Sequence, residues 1–382
     1  MNSDFIVFGQ PLLEQEEIDE VVDSLKKAWI GTGPKVHAFE KQFCEYKDAP
    51  FASAVGSCTA GLFLALKALD IGPGDEVITT AMTFVATVNS IMHTGATPVL
   101  ADIDPVTWNI DPTEIERKIT KRTKAILPVH FAGRPCEMDE IMSLAEKYNL
   151  HVIEDCAHAV ETVYKGKRAG TFGDFGAFSF YATKNITTGE GGMIISNDEN
   201  KIDRIKKLAL HGLSSDAWSR FSDEGYKHYS CEEPGFKYNM MDIQAAIGIH
   251  QLNKIERFYA RRREIWHRYM NELQGLPALL PAPVSNDRLN RHALHLFQLV
   301  LTTDSNISRD DFLMAMTESG IGVGVHYIDI TRHQFYREKF NPDSLRNAIE
   351  FGSNTVSIPM SPKLTDSQVD RIIDTTKKLL TK

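Results

Sequence analysis

The chain has 382 residues, of which 42% are hydrophobic and 24% are charged, a composition typical of a globular protein with two or three domains. Its net charge is −9, and its densest basic run, residues 261–263, is typical of a solvated helix face, so nucleic acid is excluded as an expected partner. The five cysteines lack a CxxC spacing, and the chain lacks both an apolar leader and a roughly 20-residue apolar run, which predicts a cytoplasmic protein that does not enter membranes.

Strand-like and helix-like segments alternate along the first two thirds of the chain. Buried strands, rich in Val, Ile and Phe and bounded by Gly, Asp or Pro, are predicted at 76–80, 97–103, 124–131, 151–155, 176–181 and 191–197. Helices are predicted between them at 59–69, 84–94, 112–119 and 137–148. This alternation predicts an α/β fold with a mostly parallel sheet, whose ligands bind near the carboxyl ends of the strands.

A long amphipathic helix is predicted from about residue 242 to residue 273, and it ends where glycine and prolines follow. We therefore predict two domains: residues 1–250 form a large α/β domain, and residues 251–382 hold the linking helix and a small α+β domain. In the small domain, strands are predicted at 292–301 and 320–328, and helices at 308–319 and 366–380. His292 and His295 lie three apart on one predicted strand, so they point to opposite faces and are interpreted as structural, with His295 near the cleft.

Residues 56–61, with the sequence GSCTAG, lie between a strand-like segment and a predicted helix. Small residues at the start of a helix leave backbone N–H groups free, and the helix dipole favours an anion there. Ser57 or Thr59 could add a hydroxyl donor. The alternative interpretation is an ordinary N-cap with close packing.

A second cluster, IEDCAH at 153–158, ends a hydrophobic strand in two acids. Asp155 would lie at the carboxyl edge of the sheet, where a carboxylate can pair with a protonated pyridine nitrogen. Two alternatives remain open: Asp155 is a helix cap, or it binds a metal ion together with Cys156 and His158. No second ligand pair with zinc-like spacing accompanies these residues, so no metal site is predicted.

Lys184 follows a buried strand and faces the glycine-rich stretch 188–192. Most lysines are solvated surface groups, but a lysine in a partly desolvated cleft has a lowered pKa and can condense with an aldehyde. Ser179, five residues earlier, could donate its hydroxyl to a phosphate. An anion-binding helix start, an acid at a strand end and a lysine after a later strand follow one another in fold-type I pyridoxal-phosphate enzymes.

Long stretches around these clusters resemble the DegT/StrS family of sugar-nucleotide aminotransferases. They are WIGTGP (29–34), GDEVITTAMTFVATVNSI (74–91), LPVHFAGRPCEMDEI (127–141), VIEDCAHAV (152–160), SFYATKNITTGEGGMI (179–194), PGFKYNMMDIQAAIGIHQL (234–252) and GVGVHY (322–327). Within the family, several stretches are similar to the UDP-4-amino-4-deoxy-L-arabinose–oxoglutarate aminotransferase type. The resemblance implies a fold-type I aminotransferase with pyridoxal 5'-phosphate as its cofactor.

The resemblance also implies the roles of the catalytic groups. Lys184 would bond to the cofactor aldehyde and carry a proton between substrate and cofactor. Asp155 would keep the pyridine nitrogen protonated, and Phe84 would stack on the ring. His158 matches a position near the cofactor oxygen and the substrate. Because similar sugar dehydratases have histidine in place of the lysine, Lys184 favours transamination over dehydration.

Cofactor phosphate contacts follow from the resemblance as well. Cys58, Thr59 and Ser179 match the phosphate cup, although Cys58 stands where the family often has glycine. Lys237 and Asn239 match a loop that reaches the phosphate of the neighbouring subunit, and either could make the contact, since Asn239 stands where many relatives have arginine. This match implies a homodimer with its sites at the interface.

The implied substrates are a nucleotide-linked 4-keto sugar and glutamate, which leaves as 2-oxoglutarate. Thr32, His326 and Tyr327 are expected to contact the sugar. One alternative is a regulatory family member that binds the cofactor without turnover. A nicotinamide oxidoreductase is disfavoured, because residues 31–36 do not continue into the required GxGxxG pattern.

Overall fold

The computed structural model describes residues 4–214, 230–283, 287 and 289–381. The helices in chain order are α1 (Gln15–Lys26), α2 (Pro34–Lys47), α3 (Cys58–Ala68), α4 (Val85–His93), α5 (Pro112–Lys118), α6 (Met138–Tyr148), α7 (Glu199–Ala209), α8 (Asp242–Asn253), α9 (Ile255–Glu272), α10 (Arg309–Glu318), α11 (Arg346–Asn354) and α12 (Asp366–Leu380). The strands are β1 (Phe51–Val55), β2 (Glu76–Thr80), β3 (Thr97–Ala101), β4 (Thr123–Leu127), β5 (His151–Asp155), β6 (Val163–Tyr164), β7 (Lys167–Arg168), β8 (Phe175–Ser179), β9 (Gly192–Ser196), β10 (Ala278–Leu279), β11 (Phe297–Leu301) and β12 (Thr355–Ile358). Among the described helices, none is both long and apolar enough to cross a membrane.

Seven of the described strands form one sheet in the order β1-β9-β8-β5-β4-β2-β3. The strands from β8 to β3 pair in parallel, whereas β9 runs antiparallel to both of its neighbours, β1 and β8. β1 therefore points in the same direction as the parallel strands. This mostly parallel sheet confirms the predicted α/β fold.

Strand direction decides which side chains meet at one edge of the sheet. Val55, Asp155 and Ser179 are the last residues of β1, β5 and β8, so all three lie at the same edge. β9 runs antiparallel to these strands, so its first residue, Gly192, lies at the same edge. Parallel sheets bind their ligands at this edge.

Strand β8 is buried because helices cover both faces of the sheet. Phe175 and Ala177 pack in a core with α3 and α7, whereas Phe178, which points to the other face, meets Phe43 of α2 with ring centroids 5.0 Å apart. Every residue of β8 is buried, as expected for a central strand between two helical layers.

A second sheet, β10-β11-β12, is antiparallel and packs with α9, α10 and α12 around a separate core. Tyr269 of α9 and Phe312 of α10 are fully buried there, next to Phe297 of β11. We propose residues 1–250 and 251–382 as the two domains, with a boundary close to the junction of α8 and α9.

Three predicted elements differ in the structure. The helix predicted over 242–273 is two helices that meet at Lys254, whose ammonium binds Glu14, Glu16 and Glu17 near α1. The strand predicted at 292–301 begins only at Phe297, because the preceding residues bond instead to the loop at 132–133.

Residues 320–328, predicted as a strand, form only isolated bridges, from Ile321 to Ile6 and from Gly324 to Ser357. The segment therefore changes partners halfway along, which prevents a continuous ladder. His292 and His295 consequently lie outside any strand, so the prediction that they share one strand was wrong.

Candidate active site

A cavity of about 480 Å³ opens at the edge of the large sheet where β1, β5 and β8 end. It is lined by Ser57, Cys58, Thr59, Leu62, Thr83, Phe84, Ala86, Thr87, Val129, Asp155, Ala157, His158, Ser179, Tyr181, Thr183, Lys184, Glu190, Gly191, His326 and Tyr327. Nine of the twelve predicted site residues are among these; Thr32, Lys237 and Asn239 are not. The volume is that of a small-molecule site.

One end of the cavity is formed by the start of α3, directly after β1. The Ser57 hydroxyl accepts a hydrogen bond from Ala60 N–H at 3.1 Å, so the predicted N-cap is present. The N–H groups of the first helical turn, at Cys58 and Thr59, have no partner within the helix ladder, and both residues line the cavity together with Ser179. This end can therefore bind an anion through backbone N–H groups and hydroxyls.

Gly192 at the start of β9 allows this helix start to lie close to the sheet. A Cβ atom on Gly192 would come within 2.6 Å of Cys58 N and 2.8 Å of Phe178 O. The alanine side chain cannot be accommodated there without displacing backbone.

We expect Gly192→Ala to weaken cofactor binding by about tenfold or more, because overpacking costs about 1–3 kcal/mol and displaces the anion-binding turn. An absorbance titration of the cofactor-free protein measures this. Gly72→Ala is the matched control, since a Cβ there would meet only Thr94 O at an ordinary 3.6 Å. Equal affinities for the two variants would contradict the expectation.

Asp155 is buried at the end of β5 and is held by two donors. Thr87 Oγ1 donates to Oδ2 at 2.8 Å and Ala157 N–H donates to Oδ1 at 3.0 Å, while Cys58 Sγ lies 4.0 Å from Oδ1. Burial raises the pKa of Asp155, although these two donors and the Lys184 ammonium act against the increase. A cationic group in the cavity would therefore stabilise its charged form.

The geometry distinguishes between the roles considered for residues 153–158, which were a metal site, a cap and a cofactor contact. Cys156 is not among the cavity residues; its donor atom lies within 4.8 Å of those of His130 and Glu154. Asp155 and His158 line the cavity instead, so Asp155, Cys156 and His158 do not converge on one point. The bond from Ala157 N–H gives Asp155 a local turn-capping role as well, without removing it from the cavity.

Lys184 lies in the turn that follows β8, where its N–H donates to Tyr181 O at 2.9 Å. Burial lowers the pKa of Lys184 to about 8, against the opposing effect of Cys58 and Asp155. The amine is therefore much closer to its uncharged, nucleophilic form at neutral pH than an ordinary lysine.

His158 and Tyr327, which both line the cavity, are hydrogen-bonded to each other. Ala132 N–H donates to His158 Nδ1 at 3.2 Å, and Nε2 lies 3.0 Å from the Tyr327 hydroxyl. Burial, followed by the charge of Lys184, lowers the pKa of His158 well below its usual range. The neutral ring thus carries its proton on Nε2 and donates to Tyr327, which leaves the phenol hydrogen free to donate into the cavity.

Phe84 and His326 lie next to the Tyr327 ring. Phe84, the residue before α4, is 56% exposed, and its ring lies 5.9 Å from that of Tyr327. His326 Nδ1 lies 3.0 Å from Ser357 Oγ, and burial lowers its pKa to about 4. A large exposed aromatic face at a cavity mouth is available for stacking.

The three remaining predicted residues form a separate cluster beside the α3 start. Lys237 Nζ donates to Asn239 Oδ1 at 2.6 Å, Asn239 Nδ2 donates to Thr32 Oγ1 at 2.6 Å, and Thr32 donates to Met240 O. Gly56 N–H donates to Tyr238 O at 2.6 Å, which joins this cluster to the residues just before α3.

Sequence reasoning missed several polar lining residues. The most important pair is Thr83 and Thr87, whose hydroxyl oxygens lie 2.8 Å apart. The Thr87 hydroxyl in turn donates to Asp155, so the two threonines and Asp155 form one hydrogen-bonded chain. Their spacing of four at a helix start, directly after a buried strand, was the available signal. The others include Tyr181 and Thr183, in the turn that also holds Lys184, and Glu190, two residues before β9.

Together these groups fit pyridoxal 5'-phosphate. The start of α3 supplies anion donors for a phosphate, Lys184 supplies a nucleophilic amine for an aldehyde, and Asp155 supplies a buried carboxylate for a ring nitrogen. Phe84 supplies an aromatic face.

Comparison with known proteins agrees with this assignment. Residues 11–377 match the DegT/DnrJ/EryC1/StrS aminotransferase family. The chain is 46% identical over 380 residues to the spore coat polysaccharide biosynthesis protein SpsC of Bacillus subtilis, covering 98% of this chain and 97% of that protein.

Solved structures are similar over the same length. The putative sugar aminotransferase Spr1654 from Streptococcus pneumoniae, in its PMP form, has a TM-score of 0.92 at 33% identity and covers 98% of this chain and 99% of its own. PseC of Helicobacter pylori, an aminotransferase involved in the biosynthesis of pseudoaminic acid, has a TM-score of 0.91 at 28% identity and covers 99% of both chains.

Proposed function

Because the chain belongs to the DegT/DnrJ/EryC1/StrS aminotransferase family, we propose that it aminates a nucleotide-linked 4-keto sugar with glutamate as the donor. The chain is a pyridoxal-phosphate-dependent sugar aminotransferase. A role in polysaccharide or glycan biosynthesis is supported by the 46% sequence identity of the chain to SpsC, a spore coat polysaccharide biosynthesis protein. The observation that carries the proposal is that Lys184 and Asp155 line one cavity with an anion-binding helix start.

Pyridoxal phosphate, when bound, holds the transferred amino group and acts as an electron sink at the reacting carbon. In the proposal, Lys184 Nζ removes a proton from the donor carbon and later delivers one to the sugar carbon. Its pKa of about 8 suits a group that must both take up and release a proton near neutral pH. Asp155, buried and held by Thr87 and Ala157, keeps the ring nitrogen charged and fixed in position.

The sugar is proposed to bind beside Tyr327, whose hydroxyl hydrogen is free to donate to a sugar oxygen. His326 stays neutral because burial lowers its pKa to about 4, so it can offer a hydrogen bond without adding charge. The exposed ring of Phe84 is proposed to stack on the cofactor ring, which leaves Tyr327 and His326 for the sugar.

We also propose a homodimer with each site at the interface. Ile18, Val22 and Leu25 recur on one face of α1 and are 53%, 38% and 55% exposed, and Trp29 and Ile30 beyond the helix are about half exposed. An apolar surface of this kind is typical of a subunit contact. The Thr32–Asn239–Lys237 cluster would then contribute to the partner's phosphate site.

Mixing two inactive variants tests the shared site. We expect Lys184→Ala and the double variant Lys237→Ala/Asn239→Ala to be inactive alone, because each destroys a different half of every site. Random re-pairing gives heterodimers with one intact site, so about a quarter of wild-type activity should return. No recovery on mixing, with subunit exchange verified by tagged chains, would contradict a site shared between subunits.

The substrate proposal is tested with a panel of UDP- and dTDP-linked 4-keto sugars and isotopically labelled glutamate, with products analysed by mass spectrometry. We expect the label in one amino sugar nucleotide and parallel lines in initial-rate plots, because one amino group is carried by the enzyme between two substrates. Intersecting lines, or label that never reaches a sugar, would refute the proposal. Bleaching of the yellow holoenzyme by glutamate separates an enzyme from a protein that only binds the cofactor.

A further inference from the structure

A second, small cavity shares Lys184 and Thr183 with the substrate cavity. Its volume is about 30 Å³, which is room for at least one water molecule. Lys184, Asn185, His295 and Arg262 line it, together with Gln251, Phe258 and the segments 9–12, 182–183 and 360–362. Cavities with polar walls of this size commonly hold structural water.

The orientation of the Asn185 side chain is fixed by its partners. Asn185 Nδ2 lies 2.9 Å from Glu161 Oε2 and 2.9 Å from Ala293 O, and both of these atoms can only accept. Nδ2 is therefore the donor, and Oδ1 must be the acceptor. Oδ1 lies 2.8 Å from His295 Nδ1, so that ring nitrogen carries a hydrogen.

His295 consequently has an unprotonated Nε2. Burial lowers the pKa of His295 well below its usual range, and the nearby cations and imidazoles lower it further, so the ring is neutral and has one proton. The nearby groups that lower the pKa of His295 in this way are Lys184, His326, Arg262 and His292. His158 packs against the ring with centroids 4.3 Å apart but has the opposite tautomer, with its proton on Nε2.

Arg262 brings an unused donor to the same cavity. Its guanidinium forms an ion pair with Glu161 and donates to Asn185 O at 3.4 Å. Its Nε is buried and has no acceptor among the described residues. A buried donor without a partner is destabilising, which favours a water molecule beside it.

We propose that this cavity binds a structural water that accepts from Arg262 Nε and donates to His295 Nε2, and that His295 thereby positions the Lys184 amine. The proposal adds a binding site and a positioning residue that lie outside the substrate cavity. Its functional part rests on the proposed role of Lys184; its structural part does not.

Because Lys184 and His295 line the same cavity, the proposed water and His295 offer the lysine amine a hydrogen-bond acceptor. An ammonium surrounded by hydrogen-bond acceptors is stabilised relative to the uncharged amine. The water and His295 offset part of the effect of burial, which keeps the lysine able to hold a proton between its removal from one substrate and its delivery to the other.

His295→Gln and His295→Phe form a matched pair of variants. Glutamine can donate from Nε2 to Asn185 Oδ1 and accept with Oε1, whereas phenylalanine can do neither. We expect the pKa of Lys184 in the cofactor-free protein to fall by about one unit in the phenylalanine variant, a tenfold rise in the ratio of uncharged to charged amine, and to stay unchanged in the glutamine variant. The pH dependence of Lys184 acetylation, followed by peptide mass spectrometry, measures this.

A high-resolution crystal structure of the cofactor-free wild type provides a second test that does not depend on any variant folding. We expect a water peak within hydrogen-bond distance of both Arg262 Nε and His295 Nε2. Absence of that peak, or equal Lys184 pKa values in the two variants, would overturn the proposal. If borohydride instead left Lys184 unlabelled in the holoenzyme, the proposed function would fail while both of these readouts could still stand.

Discussion

Lys184→Ala is expected to reduce amino-sugar formation by at least about 10³-fold, because it removes both the cofactor's covalent partner and the proton carrier. The loss should appear in turnover and not in folding, since Lys184 lies in a turn at a cavity wall and forms no ion pair among those of the described residues. Turnover is measured with the sugar nucleotide identified in the panel, and thermal unfolding is measured in parallel.

Lys47 supplies a control within the same chain. It is a buried lysine whose pKa is also lowered to about 8 by burial, but it donates to Val160 O and lies over the Phe178 ring, on the α2 side of the sheet. Borohydride treatment of the holoenzyme should label the Lys184 peptide and leave the Lys47 peptide unlabelled. Label on Lys47, or wild-type turnover in Lys184→Ala, would show that burial alone had been mistaken for a catalytic environment.

The fold was largely predictable where local pattern and topology agree. β2 and β5 match the predicted strands at 76–80 and 151–155, and α12 matches the predicted helix at 366–380, because each combines a clear period with bounding turn or cap residues. Prediction failed at 292–296 and 320–328, where strand-like residues form only short pairings with segments that are distant in the sequence. Such pairings depend on which distant segments are neighbours, and no local pattern contains that information.

The site divides in the same way. Lys184, Asp155 and Ser179 could be placed because strand direction brings the ends of parallel strands to one edge. The tautomers of His158 and His295 could not be predicted from the sequence. They depend on hydrogen bonds with Ala132 N–H and with the Asn185 amide, which lie far away in the sequence. Those hydrogen bonds change the interpretation of His158: it acts through Tyr327, and we propose it as a positioning residue.

Asp155→Asn is the second large effect expected, a loss of about 10³-fold in turnover with folding retained. Asparagine keeps an oxygen for Thr87 or Ala157 and nearly the same volume, but it has no charge to hold a ring nitrogen protonated. The cofactor's absorption spectrum should shift in the variant, which a purely structural role of Asp155 would not cause.

Its neighbour Glu154 gives the matched control, because the adjacent strand residue points to the opposite face. Glu154 is fully buried and accepts from the N–H groups of Gly170, Phe172 and Gly173 and from His130, and against the effect of burial these bonds hold its pKa below the ordinary value. Glu154→Gln leaves some of these donors unpaired, so it should lower the free energy of unfolding by about 1–3 kcal/mol. Turnover per folded molecule and the cofactor spectrum should stay close to wild type. If both substitutions changed stability alike and neither changed the spectrum, the carboxylate of Asp155 would be part of the scaffold and not of the chemistry.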